Sequence, residues 1–240
     1  MVQFNKNLLT FSAIIITFLF SLSCKKSDQN YPETVIDIDG NTYNTVLIGD
    51  QLWMKENLIT TKFSNGDPIA TTDPIDKSIS LESEPIYQWF YFEDKPNPSI
   101  YGRFYTWFAV VDSRNICPEG WHVPTNEEWK TMINNLGGNE IAGGKLKETN
   151  PDYWVDINIG ATNSSGFGAV PTSIRFAEGF LALLLRNDAF FWTTVESDFI
   201  YEGEKNFAIS FLIKGDKTNI YEQATVKNSG LTCRCIMNTN

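Results

Sequence analysis

The chain has 240 residues with 42% hydrophobic and 20% charged side chains, and its 7 Trp, 17 Phe and 9 Tyr are enough to fill a large packed core rather than a disordered chain. A formal net charge of -10 excludes a nucleic-acid partner, because phosphate binding needs a basic face. A single histidine, His122, excludes metal sites built on several imidazoles, while calcium, which needs only oxygen ligands, stays open.

Residues 1–23 read as an export signal. Lys6 supplies a short positive start, and residues 8–22 form an apolar run too short to span a bilayer, which takes about 20 residues. Ser23-Cys24 follows at once, an arrangement that resembles the signal of a bacterial lipoprotein. By that resemblance Cys24 becomes the first residue of the mature protein and carries lipid, which implies an anchor at the outer membrane or cell surface, with the periplasm-facing leaflet left open. Several acyl chains on one cysteine anchor stably. Residues 24–32, polar and without apolar periodicity, are then a lipidated tether, and a single domain occupies residues 33–240.

The domain opens with β signals. Residues 35–38 and 42–48 are apolar and β-branched around the Asp39-Gly40-Asn41 turn, and Gly49-Asp50 turns the chain into a third strand at 51–54. Asp37, Asp39 and Asn41 have part of the spacing of a calcium loop, but no downstream Gly and Glu complete it. Residues 55–98 are rich in turns, interrupted by a short aromatic strand at 89–92. Residues 101–111 are predicted helical, since Tyr101, Phe104, Tyr105 and Phe108 fall on one face, which an aromatic-rich core would bury.

Residues 117–138 carry the strongest local signal. Pro124 stops an extended approach, Thr125 is the N-cap, and Glu128 completes a capping box. Trp129, Met132, Ile133 and Leu136 then recur at helical spacing until Gly137-Gly138 ends the helix. Beyond it, residues 139–190 are predicted to form a long irregular region, with a short helix near 139–148 broken by Gly143-Gly144. Trp154, Asn163 and Arg175 sit among its turns and are the candidate ligand contacts, with Trp154 offering an indole for a sugar to stack on. The chain closes with strands at 190–195, 207–213 and 231–237, whose alternation suits a sheet with one face on the core.

Seven motifs then point to one family. DIDGNTY at 37–43, IGDQLWMKENL at 48–58, YGR at 101–103, CPEGWHVPT at 117–125, GGKLKE at 143–148, GATNSSGF at 160–167 and the closing Arg234-Cys235 occur in one order. Together they resemble the Fibrobacter succinogenes major paralogous domain, found in exported and lipid-anchored bacterial proteins. More distantly, the helix, cysteine and Pro-Thr-x-x-Glu-Trp succession resembles the C-type lectin-like fold, including its formylglycine-generating branch. That resemblance implies an α+β domain with two helices, a twisted, mostly antiparallel sheet, a long irregular loop region and neighbouring termini.

Lipidation of Cys24 leaves Cys117, Cys233 and Cys235, an odd number in an oxidising compartment. The fold resemblance implies a Cys117–Cys235 disulfide, and the family resemblance makes position 233 apolar, so that Cys233 is expected as a buried thiol. The active cysteines of formylglycine-generating enzymes are not at Cys-x-Cys spacing, so no oxidase chemistry is expected.

The function implied is a non-catalytic binding or adhesion module, with a glycan or an envelope protein as ligand and no cofactor or metal. The Glu-Pro-Asn and Trp-Asn-Asp triplets of calcium-dependent lectins are absent, and Trp192-Thr193-Thr194 stands in place of the second. Two alternatives accompany this reading. One is an envelope enzyme such as a glycan hydrolase, drawing its carboxylates from Glu127, Glu128, Asp152 or Glu196; the other is a purely structural envelope component. Glu127 and Glu128 have a simpler role in the first helical turn, where the helix dipole favours them. His122 is expected to be structural.

Overall fold

The computed structural model describes residues 31–90, 98–154, 157–181 and 187–238. All belong to one compact unit, residues 31–240. The predicted signal peptide and the lipid site Cys24 lie outside the described residues, as do Tyr91 and Phe92 of the predicted aromatic strand.

Three sheets build the unit. The first takes β1 (Thr34–Ile36), β2 (Thr42–Ile48), β3 (Gln51–Met54), β10 (Ile236–Met237) and β6 (Trp121–His122), in that order. A small pair joins β4 (Gln88–Trp89) to β5 (Phe104–Tyr105), and a three-stranded sheet runs β7 (Asp188–Glu196), β8 (Phe207–Lys214), β9 (Ile220–Val226). All these strand pairs are antiparallel. The helices are α1 (Trp107–Val110), a single turn, α2 (Asn126–Asn135) and α3 (Asn139–Leu146). The domain is thus α+β with few helices.

The β2–β3 hairpin follows its two-residue turn, with Ile48 opposite Gln51. Strand β10 lies between β3 and β6, pairing Ile236 with Trp53 on one side and with His122 on the other, so the C-terminal strand seals the sheet that the N-terminal strands begin. The Cys117–Cys235 disulfide, with Cα atoms 6.0 Å apart, fastens this closure beside the approach to α2. Cys233 is a free, buried thiol, and burial pushes it well above its usual pKa.

Alternating side chains separate two cores. On β3, Leu52 and Met54 enter one cluster and Trp53 the other; on β7, Phe190 and Trp192 enter the first and Phe191 the second; Cys235 and Ile236 divide the same way. Successive residues of a strand face opposite sides, so an unbroken apolar run marks a strand buried on both. The expectation of one apolar face per sheet therefore fails at these strands. In the second core Trp129 of α2 stacks on Phe211 at 4.9 Å and meets Trp53, Phe167 and Phe191 at 5.3–5.8 Å. Aromatic contacts at this spacing contribute about 0.5–1.5 kcal/mol each beyond their buried area.

Helix α2 matches its sequence signature. The Thr125 hydroxyl accepts the Glu128 N–H at 3.3 Å, the Glu128 carboxylate accepts the Thr125 N–H at 2.7 Å, and the apolar stripe through Leu136 is buried. Two other predicted elements differ. Residues 101–111 are not one helix: Gly102 has φ +79°, and a Cβ there would lie 2.4 Å from that of Asn57, so the chain turns before a helix can start. Tyr105 then exchanges backbone hydrogen bonds with Leu231, at 2.8 and 3.2 Å, leaving one helical turn after the extended Thr106. Conversely, α3 runs through Gly143-Gly144 unbroken. A Cβ on Gly143 would stand 2.2 Å from the Asn219 carbonyl oxygen, and one on Gly144 2.5 Å from that of Gly160. These glycines admit neighbouring backbone rather than ending the helix.

Candidate functional site

The three ligand contacts expected from the sequence are structural. Trp154 is 3% exposed and donates its indole N–H to the Ala169 carbonyl at 3.1 Å, so no sugar can stack on it. It packs with Trp53 and Trp129 in the second core. Arg175 is fully buried, lies 3.9 Å over the Trp89 ring and donates to the carbonyls of Ile75, Lys77 and Phe176. Asn163 has φ +46° and spends both ends of its amide, donating to Glu148 at 3.0 Å and accepting the Gly168 N–H at 2.9 Å. Trp192 is likewise sealed, its indole bound to the Tyr105 carbonyl.

Of the proposed acid–base carboxylates, Glu127, Glu128 and Glu196 are engaged, whereas Asp152 is exposed and its carboxylate has no partner among the described residues. His122 meets Asn238 through Nδ1 at 2.6 Å and Glu128 through Nε2 at 2.8 Å, clamping the last strand to the start of α2. The Glu128 hydrogen bond raises the pKa of His122 against the effect of burial. Burial pushes the Glu128 carboxyl up, but bonds from His122 and Thr125 outweigh it and hold it below the usual range. Glu127 pairs with Lys130 and Glu196 with Lys227. At the early turn, Asp37 accepts from the backbone of Asp39 and Asn41 and from the Tyr43 hydroxyl. Asp39 accepts from Thr60 and Thr61 and pairs with Lys62. Burial raises the Asp39 carboxyl, yet these donors bring it down to about 2.

What the fold does assemble is a cleft of about 210 Å³ whose wall includes Lys55, Glu56, Glu148, Tyr153, Phe167 and Arg234. Four of the motifs contribute to it, 48–58 through Lys55 and Glu56, 143–148 through Glu148, 160–167 through Phe167 and 234–235 through Arg234, while Tyr153 lies between motifs. Lys55 and Glu56 leave β3 as it ends, and the Glu56 carboxylate is held by the Asn44 backbone N–H at 2.7 Å and its side-chain amide at 2.8 Å. Glu148 follows α3 and accepts from the N–H groups of Thr149 and Asn150 and the Asn163 amide. Tyr153 is braced edge-on by Tyr101, ring centroids 6.3 Å apart.

Arg234 forms the floor. It is 1% exposed, donates to Asn57 Oδ1 at 2.8 Å and to the Phe167 and Gly168 carbonyls, and lies 4.1 Å over the Phe167 ring. No carboxylate comes within ion-pair distance of it among the described residues. Burial pulls its pKa down to about 9, with the charges of Glu56 and Glu148 acting against that. Three of its five N–H donors have partners. At the rim, the Lys55 ammonium and the Tyr153 hydroxyl have no hydrogen-bond partner among the described residues. The cleft therefore offers donors and carboxylate acceptors side by side. Lys55, Glu56, Glu148 and Arg234 were visible as charged members of the motifs; their convergence was not, because they are up to 179 positions apart (234 − 55).

A larger hollow, about 380 Å³, lies beside Asp39, Ile59 and Arg103. Its carboxylate is already committed to Thr60, Thr61 and Lys62, so the Arg234 cleft is the stronger candidate. No group of three or more His, Cys, Asp and Glu residues that could hold a metal ion occurs among the described residues, and no helix there is long and apolar enough to cross a membrane.

No curated protein and no solved structure matches the chain. The Fibrobacter succinogenes major domain, however, matches residues 46–237, a span that holds the second core, all of the buried first core but Tyr43, the disulfide and every wall of the cleft. The chain belongs to the Fibrobacter succinogenes major domain family.

Proposed function

We propose that this protein is a lipid-anchored component of the cell envelope, whose C-type lectin-like domain is a non-catalytic module that binds a glycan or protein through the Arg234 cleft. The observation that carries this reading is the meeting of four separated motifs on one cleft with unpartnered donors at its rim. Such donors await a ligand or solvent, whereas the other polar candidates are consumed inside the fold. The apolar run before Ser23-Cys24 supports the anchor and the outer-membrane or surface location. Support for the lectin-like assignment comes from β10 closing the sheet that β1 begins, from the disulfide, and from the capped α2. The single-turn α1 departs from that fold, which has a full first helix.

A glycan-cleaving enzyme has less support. Hydrolysis by paired carboxylates requires one of them to deliver a proton. Glu56 and Glu148 instead direct oxygens at N–H donors of Asn44, Thr149, Asn150 and Asn163.

Cell fractionation combined with cross-linking on intact cells tests the reading. The native protein is expected in the membrane fraction, Cys24→Ser in the soluble fraction, and cross-linked envelope material is expected to be lost in Lys55→Ala. Membrane retention of Cys24→Ser overturns the anchor; capture unaffected by Lys55→Ala overturns the cleft.

A further inference from the structure

We propose that the Arg234 cleft recognises one uncharged sugar residue, the end of a glycan, without a bridging metal ion. This deepens the binding-module reading and rests on it.

The charge balance comes first. Lys55 and Arg234 are opposed by Glu56 and Glu148, so the four ionised groups sum to zero. An uncharged ligand preserves that balance. An anion or a cation would bring an unmatched charge to a floor that is almost fully desolvated, which is costly.

The pattern of donors and acceptors comes second. A hydroxyl group is one donor and two acceptor lone pairs, so a sugar needs both partners close together. Here the Lys55 ammonium, the Tyr153 hydroxyl and the remaining Arg234 N–H groups can donate, while the Glu56 and Glu148 carboxylates, each with lone pairs beyond their present bonds, can accept.

Shape is the third observation. The Tyr153 ring, held by Tyr101, and the side chains of Ile100 and Val170 give the C–H face of a sugar ring an apolar surface. A volume of about 210 Å³ falls below the usual range for extended ligands, about 300–1,000 Å³, and suits one ring entering end-on. A metal bridge has no cluster of three or more His, Cys, Asp and Glu residues to hold it among the described residues, and the carboxylate oxygens are directed at N–H donors.

The test is saturation-transfer NMR on the full chain in a sugar-free detergent. The probes are methyl glycosides of glucose, galactose, mannose and N-acetylglucosamine, with glucuronate as the anionic and glucosamine as the cationic comparator, each with EDTA. At least one neutral glycoside is expected to bind, and Lys55→Ala and Tyr153→Ala are each expected to weaken it about tenfold with near-UV dichroism unchanged. Silence across the neutral glycosides, binding of the charged probes alone, a requirement for calcium, or binding unmoved by both substitutions overturns the proposal. If the sugars are silent while Lys55-dependent cross-linking on cells persists, the binding-module reading survives and the sugar assignment falls; if both fail, both fall.

Discussion

Lys147 and Arg234 are both buried cations, and neither touches a carboxylate among the described residues. Lys147 has no exposed surface, and its ammonium sits among four backbone carbonyls, those of Ile159, Lys214, Gly215 and Lys217, at 2.7–3.1 Å. Three N–H donors facing four acceptors leave nothing over. Burial pulls Lys147 down to about 8, partly offset by Asp216, so it remains charged at neutral pH. Arg234 also leans on carbonyls, but its planar fork has five donors and its surroundings take three. The lysine is a closed staple between the end of α3, the 157–162 loop and the β8–β9 turn. The arginine is a staple with donors left over, placed under a cleft. Burial alone does not separate these two cations; the count of satisfied donors does.

The largest effect expected at Arg234's side of this comparison comes from its neighbour. Replacing Cys117 and Cys235 together with alanine opens a link across 118 residues, at a cost of about 4–5 kcal/mol in the chain-entropy account. Urea denaturation measures it, and hydrogen exchange should rise around β10 before it rises around Lys147. Lys147→Met leaves four buried carbonyls without a donor and should destabilise by about 3–5 kcal/mol. Ligand binding by the protein that stays folded should be unchanged; a loss of stability under about 1 kcal/mol would mean the cage is not a staple.

Arg234→Lys keeps the charge but loses the fork, and is expected to cost about 2–4 kcal/mol. Unlike Lys147→Met, it should also abolish cleft binding in the folded protein. If binding persists, the two cations are of one kind and the distinction fails.

The smallest effect is expected at the solvent-facing clamp of His122 and Glu128. The raised pKa of His122 stabilises the fold below the unfolded value, about 6.5, and that stabilisation is lost as pH rises through the folded value. The lowered pKa of Glu128 stabilises above its unfolded value, about 4.3, and that is lost as pH falls through the folded one. The pair should therefore contribute most between about pH 4.5 and 6.5. His122→Ala should cost under about 1 kcal/mol there, because both groups are partly exposed, and less at pH 8. Equal losses at pH 5.5 and pH 8 would assign the effect to packing instead.

Legibility followed the distance over which each interaction reaches. The cap, stripe and stop of α2 lie within residues 125–138, and each is a contact between near neighbours in sequence, so they could be read directly. The β2–β3 hairpin was legible for the same reason. Strand β9 escaped notice because Tyr-Glu-Gln-Ala-Thr is too polar for an apolar pattern; it is held by its pairing with β8. The aromatic run at 101–111 has helical spacing, yet pairing with Leu231 and the left-handed Gly102 override it. Trp154 was a candidate ligand contact because it sits among turn-forming residues, but the Ala169 carbonyl and the second core draw it in.

By itself the sequence determined the family, the α+β class, the α2 scaffold and the expectation of export and lipidation, since these rest on local chemistry and on the order of motifs. The Cys117–Cys235 link could be read only through resemblance to a fold. Tertiary structure alone decided which polar residues are spent inside the fold and which keep unused donors. Whether a charged group is saturated depends on carbonyls and amides from distant segments, as at Lys147 and Arg234, and no local pattern records where those groups will lie.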